Sequence, residues 1–169
     1  NNTIYGTKFK TLPNTKGKEL VADVSSCFLS EPMDVTRYGM FYGGVQKNIG
    51  PAGMVIAVIR EDLIRDDVLP GTPTIMKYKT QADGSLYNTP NCFCIYVCGK
   101  VFKWLKKMGG LEVMKQRNEE KAALLYDYLD SSSMFRGTVR KEDRSLMNVP
   151  FVTGDKDLDA KFVKEATAA

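Results

Sequence analysis

Residues 18–61 read KELVADVSSCFLSEPMDVTRYGMFYGGVQKNIGPAGMVIAVIRE, and this stretch decides the fold. It contains three apolar runs, which predict β-strands over Leu20–Val24, Met40–Val45 and Gly53–Arg60. The third run is nearly all apolar, which is typical of a strand buried on both faces. Because buried strands need covering helices, this segment indicates an α/β fold.

Helical patterns dominate the second half of the chain. An amphipathic helix is predicted over Asn91–Met108, ending at a Gly-Gly pair, with an apolar face made of Phe93, Val97, Val101, Trp104, Leu105 and Met108. A second helix is predicted over Leu111–Leu129, with NEEK (118–121) outward and an inward face made of Val113, Met114, Ala122, Leu125 and Tyr128.

The remaining segments are shorter. Residues 75–90 read as an extended stretch that contains a turn at Asp83-Gly84, and a short helix is predicted to begin at Arg60. SLMNVPFVTG (145–154) reads as a strand, and DKDLDAKFVKEATAA (155–169) as a helix capped by its first aspartate.

The chain has 169 residues and no histidine. Its length is that of an ordinary domain with a real core. The lack of imidazole excludes Ser-His-Asp and Cys-His hydrolysis, histidine-ligated zinc and a histidine general base for this segment. Chemistry carried by these residues must therefore use lysine, aspartate, cysteine, tyrosine or a cofactor.

Charge and cysteine content narrow the class of protein further. The net charge is +4 with both signs interspersed, which is too weak to indicate nucleic-acid binding, and Lys100, Lys103 and Lys107 are interpreted as a solvated helix face in preference to a polyanion site. No run is long and apolar enough for a membrane span. We expect no metal site, and we interpret the cysteines as buried reduced thiols of a cytoplasmic protein, at positions Cys27, Cys92, Cys94 and Cys98.

Composition changes near 110–116, from strands and glycine to charged helices. We therefore expect a domain boundary there, dividing the chain into 1–113 and 114–169. The first part supplies too few helices to cover three buried strands, so we also expect the chain to be part of a longer polypeptide.

Lys47 is the most suggestive residue for chemistry, because it lies in a loop rich in glycine between two predicted strands. One reading is a solvated lysine on a surface turn. A phosphate-binding P-loop is excluded, since the required G-x-x-x-x-G-K-[ST] order is absent. The other reading is a lysine that binds an aldehyde covalently, with Asp23 as the carboxylate that keeps a pyridine nitrogen protonated in pyridoxal-phosphate chemistry.

The sequence around Lys47 supports the interpretation that this lysine binds an aldehyde covalently. The stretch VADVSSCFLSEPMDVTRYGMFYGGVQKNIGPAGMVIAVIREDLI closely resembles the cofactor-lysine region of phosphoserine aminotransferases, which are class V members of fold type I of the pyridoxal-phosphate enzymes. The resemblance continues through SLYNTPNCFCIYVCGKVFKWLKKMGG and RSLMNVPF, so it covers essentially the whole chain. It implies that 1–113 is the second half of the large cofactor-binding domain and 114–169 is part of the small C-terminal domain.

The resemblance also implies roles for individual residues. Lys47 matches the lysine that binds pyridoxal phosphate covalently and moves the substrate proton, and Asp23 matches the partner of the pyridine nitrogen. Gln46 matches a phosphate contact, and Thr3 matches a threonine that bonds the cofactor near its phenolic oxygen. Asn88 and Thr89 match a pair that reaches the phosphate of the cofactor in the other subunit of a homodimer.

The function implied is amino transfer between glutamate and 3-phosphohydroxypyruvate in serine biosynthesis, with pyridoxine biosynthesis as a second pathway in many bacteria. Two alternatives stay open on the sequence. One is another class V aminotransferase, and the other is an inactive fragment that keeps only a packing and dimerisation core.

Overall fold

The computed structural model describes all 169 residues. Its strands are β1 Val21–Asp23, β2 Met40–Gly44, β3 Val55–Ile59, β4 Arg136–Gly137 and β5 Phe151–Val152. Its helices are α1 Tyr78–Ala82, α2 Cys92–Lys107, α3 Gly110–Ser131 and α4 Lys156–Ala168. Short 3-10 turns lie at Val35–Arg37, Val45–Lys47, Glu61–Leu63, Thr74–Met76 and Lys141–Asp143. None of the helices combines the length and apolar character needed to cross a membrane.

The predicted α/β fold is built on a sheet in the order β1-β2-β3. β1 runs parallel to β2, with Asp23 opposite Tyr42, and β2 runs antiparallel to β3. Because parallel strands end at the same edge of a sheet, the carboxyl end of β1 and the loop after β2 lie side by side. The three strands predicted from the sequence are confirmed, and the edge they share carries Asp23 and Lys47.

The core beneath this edge consists of six buried residues, namely Val24, Phe28, Phe41, Val45, Ile49 and Cys98. Phe28 and Phe41 meet edge to face, with ring centroids 6.0 Å apart. Since Val45 and Ile49 come from the turn and loop on either side of Lys47, burial of these two side chains fixes the path of the backbone there.

The prediction that the third strand is buried on both faces is wrong for this chain. Val55 is 61% exposed and Val58 is 42% exposed. β3 is an edge strand that pairs only with β2, so its apolar side chains meet solvent in the structure described. The sequence pattern records how apolar a strand is, and it does not record which of its neighbours belong to the same chain.

α2 has the predicted bounds, but the predicted inward face is only partly correct. Asn91 caps the helix by accepting a hydrogen bond from the Cys94 backbone N–H, at 3.1 Å. Phe93 and Trp104 are exposed, and the buried positions are Cys94, Cys98 and Leu105. The helix is apolar on more than one side, so spacing alone cannot select the face that meets the sheet.

α3 is also confirmed, and Gly109 with φ of 104° separates it from α2 by a left-handed turn that favours glycine. The predicted faces need correction, because Leu125 and Tyr128 are exposed. Asn118, predicted to point outward, is buried and donates to the carbonyl oxygen of Ser30 at 2.8 Å. The buried amide satisfies one backbone carbonyl group. Because it is a single polar residue, the spacing of apolar residues along the helix does not reveal its burial.

Two other segments differ from the prediction. Residues 75–90 contain α1 and part of a 3-10 turn in place of an extended stretch, although the turn at Asp83-Gly84 is confirmed. Within 145–154 only β5 is a strand, and β4, which pairs with it, was not predicted. The final helix is confirmed, and Asp155 caps it by accepting the backbone N–H groups of Asp157 and Leu158.

Candidate functional site

Lys47 ends the 3-10 turn that follows β2. Its Nζ donates a hydrogen bond to the Oγ1 of Thr3, 2.7 Å away, and both residues are exposed. The amine is therefore oriented by one hydroxyl while it stays accessible to a small molecule. The family resemblance implies that both residues bind the same cofactor, and the structure places them in direct contact.

The loop after Lys47 is held firmly on the core. The backbone N–H groups of Ile49 and Gly50 both donate to the carbonyl oxygen of Val45, at 3.0 and 2.8 Å. The Asn48 Nδ2 donates to the carbonyl oxygen of Phe28 at 2.6 Å. These bonds close a compact turn, so the lysine starts from a fixed backbone.

Asp23 lies at the carboxyl end of β1. Its Oδ1 accepts the backbone N–H of Ser25 at 2.9 Å, and the Ser25 hydroxyl in turn accepts the N–H of Gly44, also at 2.9 Å. Hydrogen bonding to the Ser25 side chain holds the pKa of Asp23 below its ordinary value, and the positive charge of Lys47 acts in the same direction. Asp23 is thus an anion at neutral pH.

Gln46 folds its exposed side chain back over the strand that precedes it. A Cβ placed on Gly44 would lie 2.6 Å from the Gln46 Oε1, so the position of this side chain depends on glycine at 44. The amide of Gln46 forms no hydrogen bond within the chain. Its donor and acceptor are free to meet a ligand.

Asn88 and Thr89 stand apart from this group. Both are exposed, and neither forms a hydrogen bond to Thr3, Asp23 or Lys47. They precede Asn91, the cap of α2, whose Nδ2 would lie 2.7 Å from a Cβ placed on Gly53. The structure therefore brings four of the six candidate residues to one edge, and it shows no hydrogen bond between these four and Asn88 or Thr89.

A cavity of about 670 Å³ runs along the free edge of β1. Its lining includes Asp23 and Cys27 but neither Lys47 nor Gln46. Lys47 is exposed and faces an open surface of this chain. Asp23, its neighbour at the same edge of the sheet, lines one end of the cavity.

The sequence did not identify the contribution of Ser25 or of Asn1. A serine two residues after an aspartate at a strand end is a recognisable turn signal, because it can offer both a backbone and a hydroxyl donor. The Asn1 Nδ2 donates to the Ser26 hydroxyl at 2.6 Å and to the Asn148 Oδ1 at 2.9 Å. No sequence pattern links Asn1 with Asn148, since they meet only in the folded chain.

An accessible amine, a hydroxyl that orients it and a neighbouring carboxylate held in its charged form make up a site for covalent capture of a carbonyl compound. Residues 4–169 match the family Aminotransferase class-V. The chain belongs to the class-V aminotransferase family.

Its relatives carry a more specific name. The phosphoserine aminotransferase of Haemophilus influenzae is 51% identical over 170 residues, which cover 100% of this chain and 47% of the relative. That of Desulfotalea psychrophila is 50% identical, over 99% of this chain and 46% of the relative. The chain thus spans about half the length of the curated relatives it matches.

Solved structures agree with the sequence comparison. The phosphoserine aminotransferase from Bacillus circulans subsp. alkalophilus superposes with a TM-score of 0.93 at 41% identity, covering 99% of this chain and 47% of that one. The pyridoxal-phosphate-bound enzyme from Trichomonas vaginalis gives a TM-score of 0.92 at 39% identity, covering 99% of this chain and 48% of that one. The fold predicted from the resemblance is confirmed.

Proposed function

We propose that the protein containing this chain is a pyridoxal-phosphate-dependent phosphoserine aminotransferase. It moves an amino group between glutamate and 3-phosphohydroxypyruvate, and so serves serine biosynthesis. Support comes from the 51% and 50% identity to enzymes of that name over the whole chain. The single structural observation that carries the proposal is the hydrogen bond from Lys47 to Thr3 beside the anionic Asp23.

The residues present fit the cofactor by their chemistry. Pyridoxal phosphate supplies an aldehyde that reacts with a primary amine and a pyridinium ring that withdraws electrons from the substrate. Lys47 offers an exposed amine with no competing carboxylate hydrogen-bonded to it. Asp23 offers a carboxylate whose lowered pKa keeps it charged, which is the state needed to hold a protonated ring nitrogen.

Each residue has a distinct part in this proposal. Lys47 would hold the cofactor through its aldehyde, and its Nζ, once the incoming substrate amine has displaced it there, would be free to take the proton from the substrate Cα and later return it. The Thr3 hydroxyl orients the lysine amine in the cofactor-free chain and would bond the cofactor near its phenolic oxygen. Gln46, whose amide is unpaired, contacts the phosphate. Asp23 holds the proton on the ring nitrogen, and Ser25 keeps Asp23 in place.

Asn88 and Thr89 belong to the site of a second subunit in this proposal. Both are exposed and neither forms a hydrogen bond to Lys47, as a residue pair that serves another subunit requires. The working enzyme is then a symmetric homodimer with shared sites. We further propose the division into 1–113 and 114–169, with Lys47 in the first part.

We also propose a cellular setting and a second pathway. The four cysteines are unpaired and two of them are buried, which supports a reducing compartment such as the cytoplasm. Pyridoxine biosynthesis is proposed as a second pathway on the resemblance alone, and its test is amino transfer to a phosphorylated hydroxythreonine precursor.

The cofactor is tested on the full-length protein. With pyridoxal phosphate added, we expect a visible absorbance band that borohydride abolishes, leaving the cofactor covalently attached at Lys47 by peptide mass. Lys47→Ala removes the band and the attachment. Lys18→Ala, an exposed lysine outside the site, keeps both. A band and a borohydride adduct that persist in Lys47→Ala contradict the proposal.

The substrate is tested separately. A coupled assay compares glutamate with 3-phosphohydroxypyruvate against alanine with glyoxylate, and we expect turnover only with the first pair. Turnover with alanine and glyoxylate identifies another class V aminotransferase. No turnover by the full-length dimer with either pair contradicts the proposed activity while leaving the cofactor assignment to the borohydride experiment.

A further inference from the structure

Thr3, the residue that orients Lys47, sits in a turn that is closed on itself. The backbone N–H of Asn2 donates to the carbonyl oxygen of Thr7 at 2.8 Å, and the N–H of Gly6 donates back to that of Asn2 at 3.1 Å. The Asn2 side chain also accepts two backbone N–H groups of the turn. Residues 2–7, which we name the threonine turn, therefore form one unit whose position is set by its two ends.

The first end of the threonine turn is anchored by Asn1. Its Nδ2 donates to the Asn148 Oδ1 at 2.9 Å and to the hydroxyl of Ser26, which is buried, at 2.6 Å. The other amide atom, Oδ1, is buried without a partner. In the contact with Asn148 the Asn1 amide is the donor, and the Asn1 backbone carbonyl oxygen accepts the Ser26 hydroxyl at 3.2 Å.

The second end is anchored to the same part of the chain. The backbone N–H of Ser145 donates to the carbonyl oxygen of Gly6 at 2.8 Å, and Thr7 bridges to Arg144. A Cβ on Gly6 would lie 2.7 Å from the carbonyl oxygen of Asn148, so only glycine permits this approach. Both ends of the turn therefore rest on residues 143–148, which we name the anchor segment.

The anchor segment is itself rigid. Ser145 is fully buried, its hydroxyl accepts the N–H groups of Met147 and Asn148, and its carbonyl oxygen accepts the Tyr126 hydroxyl at 2.8 Å. Arg144 lies 4.4 Å from the centre of the Tyr126 ring and donates two hydrogen bonds to Asp130. The segment is thereby fixed to α3.

We propose that the anchor segment positions Thr3, and through Thr3 the amine of Lys47, with Asn148 and Asn1 as the positioning pair. The inference rests on the proposed function in assigning chemistry to Lys47. Its consequence is that residues beyond the predicted domain boundary control the orientation of the lysine, although none of them touches it.

The alternative to a positioning role is that these contacts are ordinary packing. Because Asn1 donates and Asn148 accepts, variants that keep or remove the donor or the acceptor distinguish these two explanations. Asn148→Asp keeps an acceptor oxygen, whereas Asn148→Ala removes it. Asn1→Asp removes the donor and sets a carboxylate against the Asn148 oxygen. Asp155→Ala is the matched control, because it removes the cap of α4 in the same part of the chain without touching the threonine turn.

The experiment uses the full-length holoenzyme. Asn148→Ala loses one half-buried hydrogen bond, and Asn1→Asp loses that bond and the one to Ser26. We therefore expect both variants to lower kcat at least about tenfold and to reduce the visible circular dichroism per bound cofactor, with KM nearly unchanged. We expect Asn148→Asp to restore both signals and Asp155→Ala to alter neither. If Asn148→Asp fails to rescue, or Asp155→Ala matches Asn148→Ala, the proposal is overturned.

A second readout does not depend on the cofactor. In the cofactor-free protein, we expect the amide of Gly6 to exchange with deuterium about tenfold faster in Asn148→Ala than in wild type or in Asp155→Ala. Faster exchange in a protein that lacks the cofactor band supports the positioning role and counts against the proposed function. Unchanged exchange in Asn148→Ala overturns the positioning role whatever the spectra show.

Discussion

The thiol of Cys94 donates a hydrogen bond to the carbonyl oxygen of Ala52, 3.2 Å away. One helical turn later the Sγ of Cys98 packs directly against the bare Cα of Gly50. Both thiols project from α2 onto the loop that follows Lys47. The buried cysteines of the C-x-C-x-x-x-C run therefore support the backbone of the lysine loop, which accounts for their burial in an otherwise exposed stretch of helix.

We expect Gly50→Ala to destabilise the full-length protein, because the added methyl group would overlap the Cys98 sulfur. Overpacking of a filled core costs about 1–3 kcal/mol, so the midpoint of urea unfolding should fall. Adding Cys98→Ala should recover most of the loss by removing that sulfur. Gly99→Ala is the control, since a methyl group there meets nothing and should leave stability unchanged or raise it.

Thr3→Val replaces the hydroxyl that accepts the Lys47 hydrogen bond by a methyl group of similar size. A hydrogen bond to a charged group contributes about 1.5–3 kcal/mol, so kcat/KM should fall at least about tenfold. We expect Thr3→Ser to stay within about threefold of wild type. Thr7→Val, in the same turn, should have wild-type kinetics. Equal losses in Thr3→Val and Thr7→Val would mean that the turn, not the hydroxyl, matters.

Asp23→Asn tests the need for a charged partner. Its effect on kcat/KM should be a fall of about ten- to a hundredfold, as for the loss of one charge-assisted hydrogen bond. Asp34→Asn is a close control, because the Asp34 carboxylate also accepts the backbone N–H of the residue two positions later but lies on an exposed connector. Steady-state kinetics in which both variants lose activity equally would remove Asp23 from the site.

Local pattern was enough to predict the three strands of the main sheet and the long helices. The apolar runs of β1 to β3 and the Asp155 cap each act over a few residues, so they can be recognised from the sequence. Burial was harder to predict. Val58 is apolar yet 42% exposed, and Asn118 is polar yet buried, because burial depends on partners distant in the chain.

In the candidate site, too, features set by local sequence were predictable and features set by distant contacts were not. The parallel pairing of β1 with β2 brings Asp23 and Lys47 to one edge, as the strand ends indicated. The direct contact between Thr3 and Lys47 was not predicted. The family resemblance implies only that both residues bind the same cofactor. The support from Asn148 lies outside both kinds of reasoning, since it depends on tertiary contacts made by single side chains.

Asp130, near the C-terminal end of α3, connects that helix to the anchor segment through its carboxylate. Its carboxylate accepts two hydrogen bonds from Arg144, at 2.9 and 2.6 Å, and pairs with Lys141 at 2.9 Å. Hydrogen bonding from Arg144, followed by that from Lys141, holds the pKa of Asp130 well below its usual range. In the folded protein the Asp130 carboxyl group is therefore ionised and paired with Arg144 and Lys141.

Asp130→Asn should consequently change how stability depends on pH. Because the pKa of Asp130 is depressed on folding, its contribution is complete above the unfolded value of about 3.9 and is lost as pH falls towards the folded value. Urea midpoints should show Asp130→Asn below wild type at about pH 7, with the gap narrowing below about pH 4. Asp127→Asn, one turn earlier and without an ion pair, is the control and should keep the wild-type urea midpoint at about pH 7. A gap that stays constant across this range would assign the Asp130 contribution to packing.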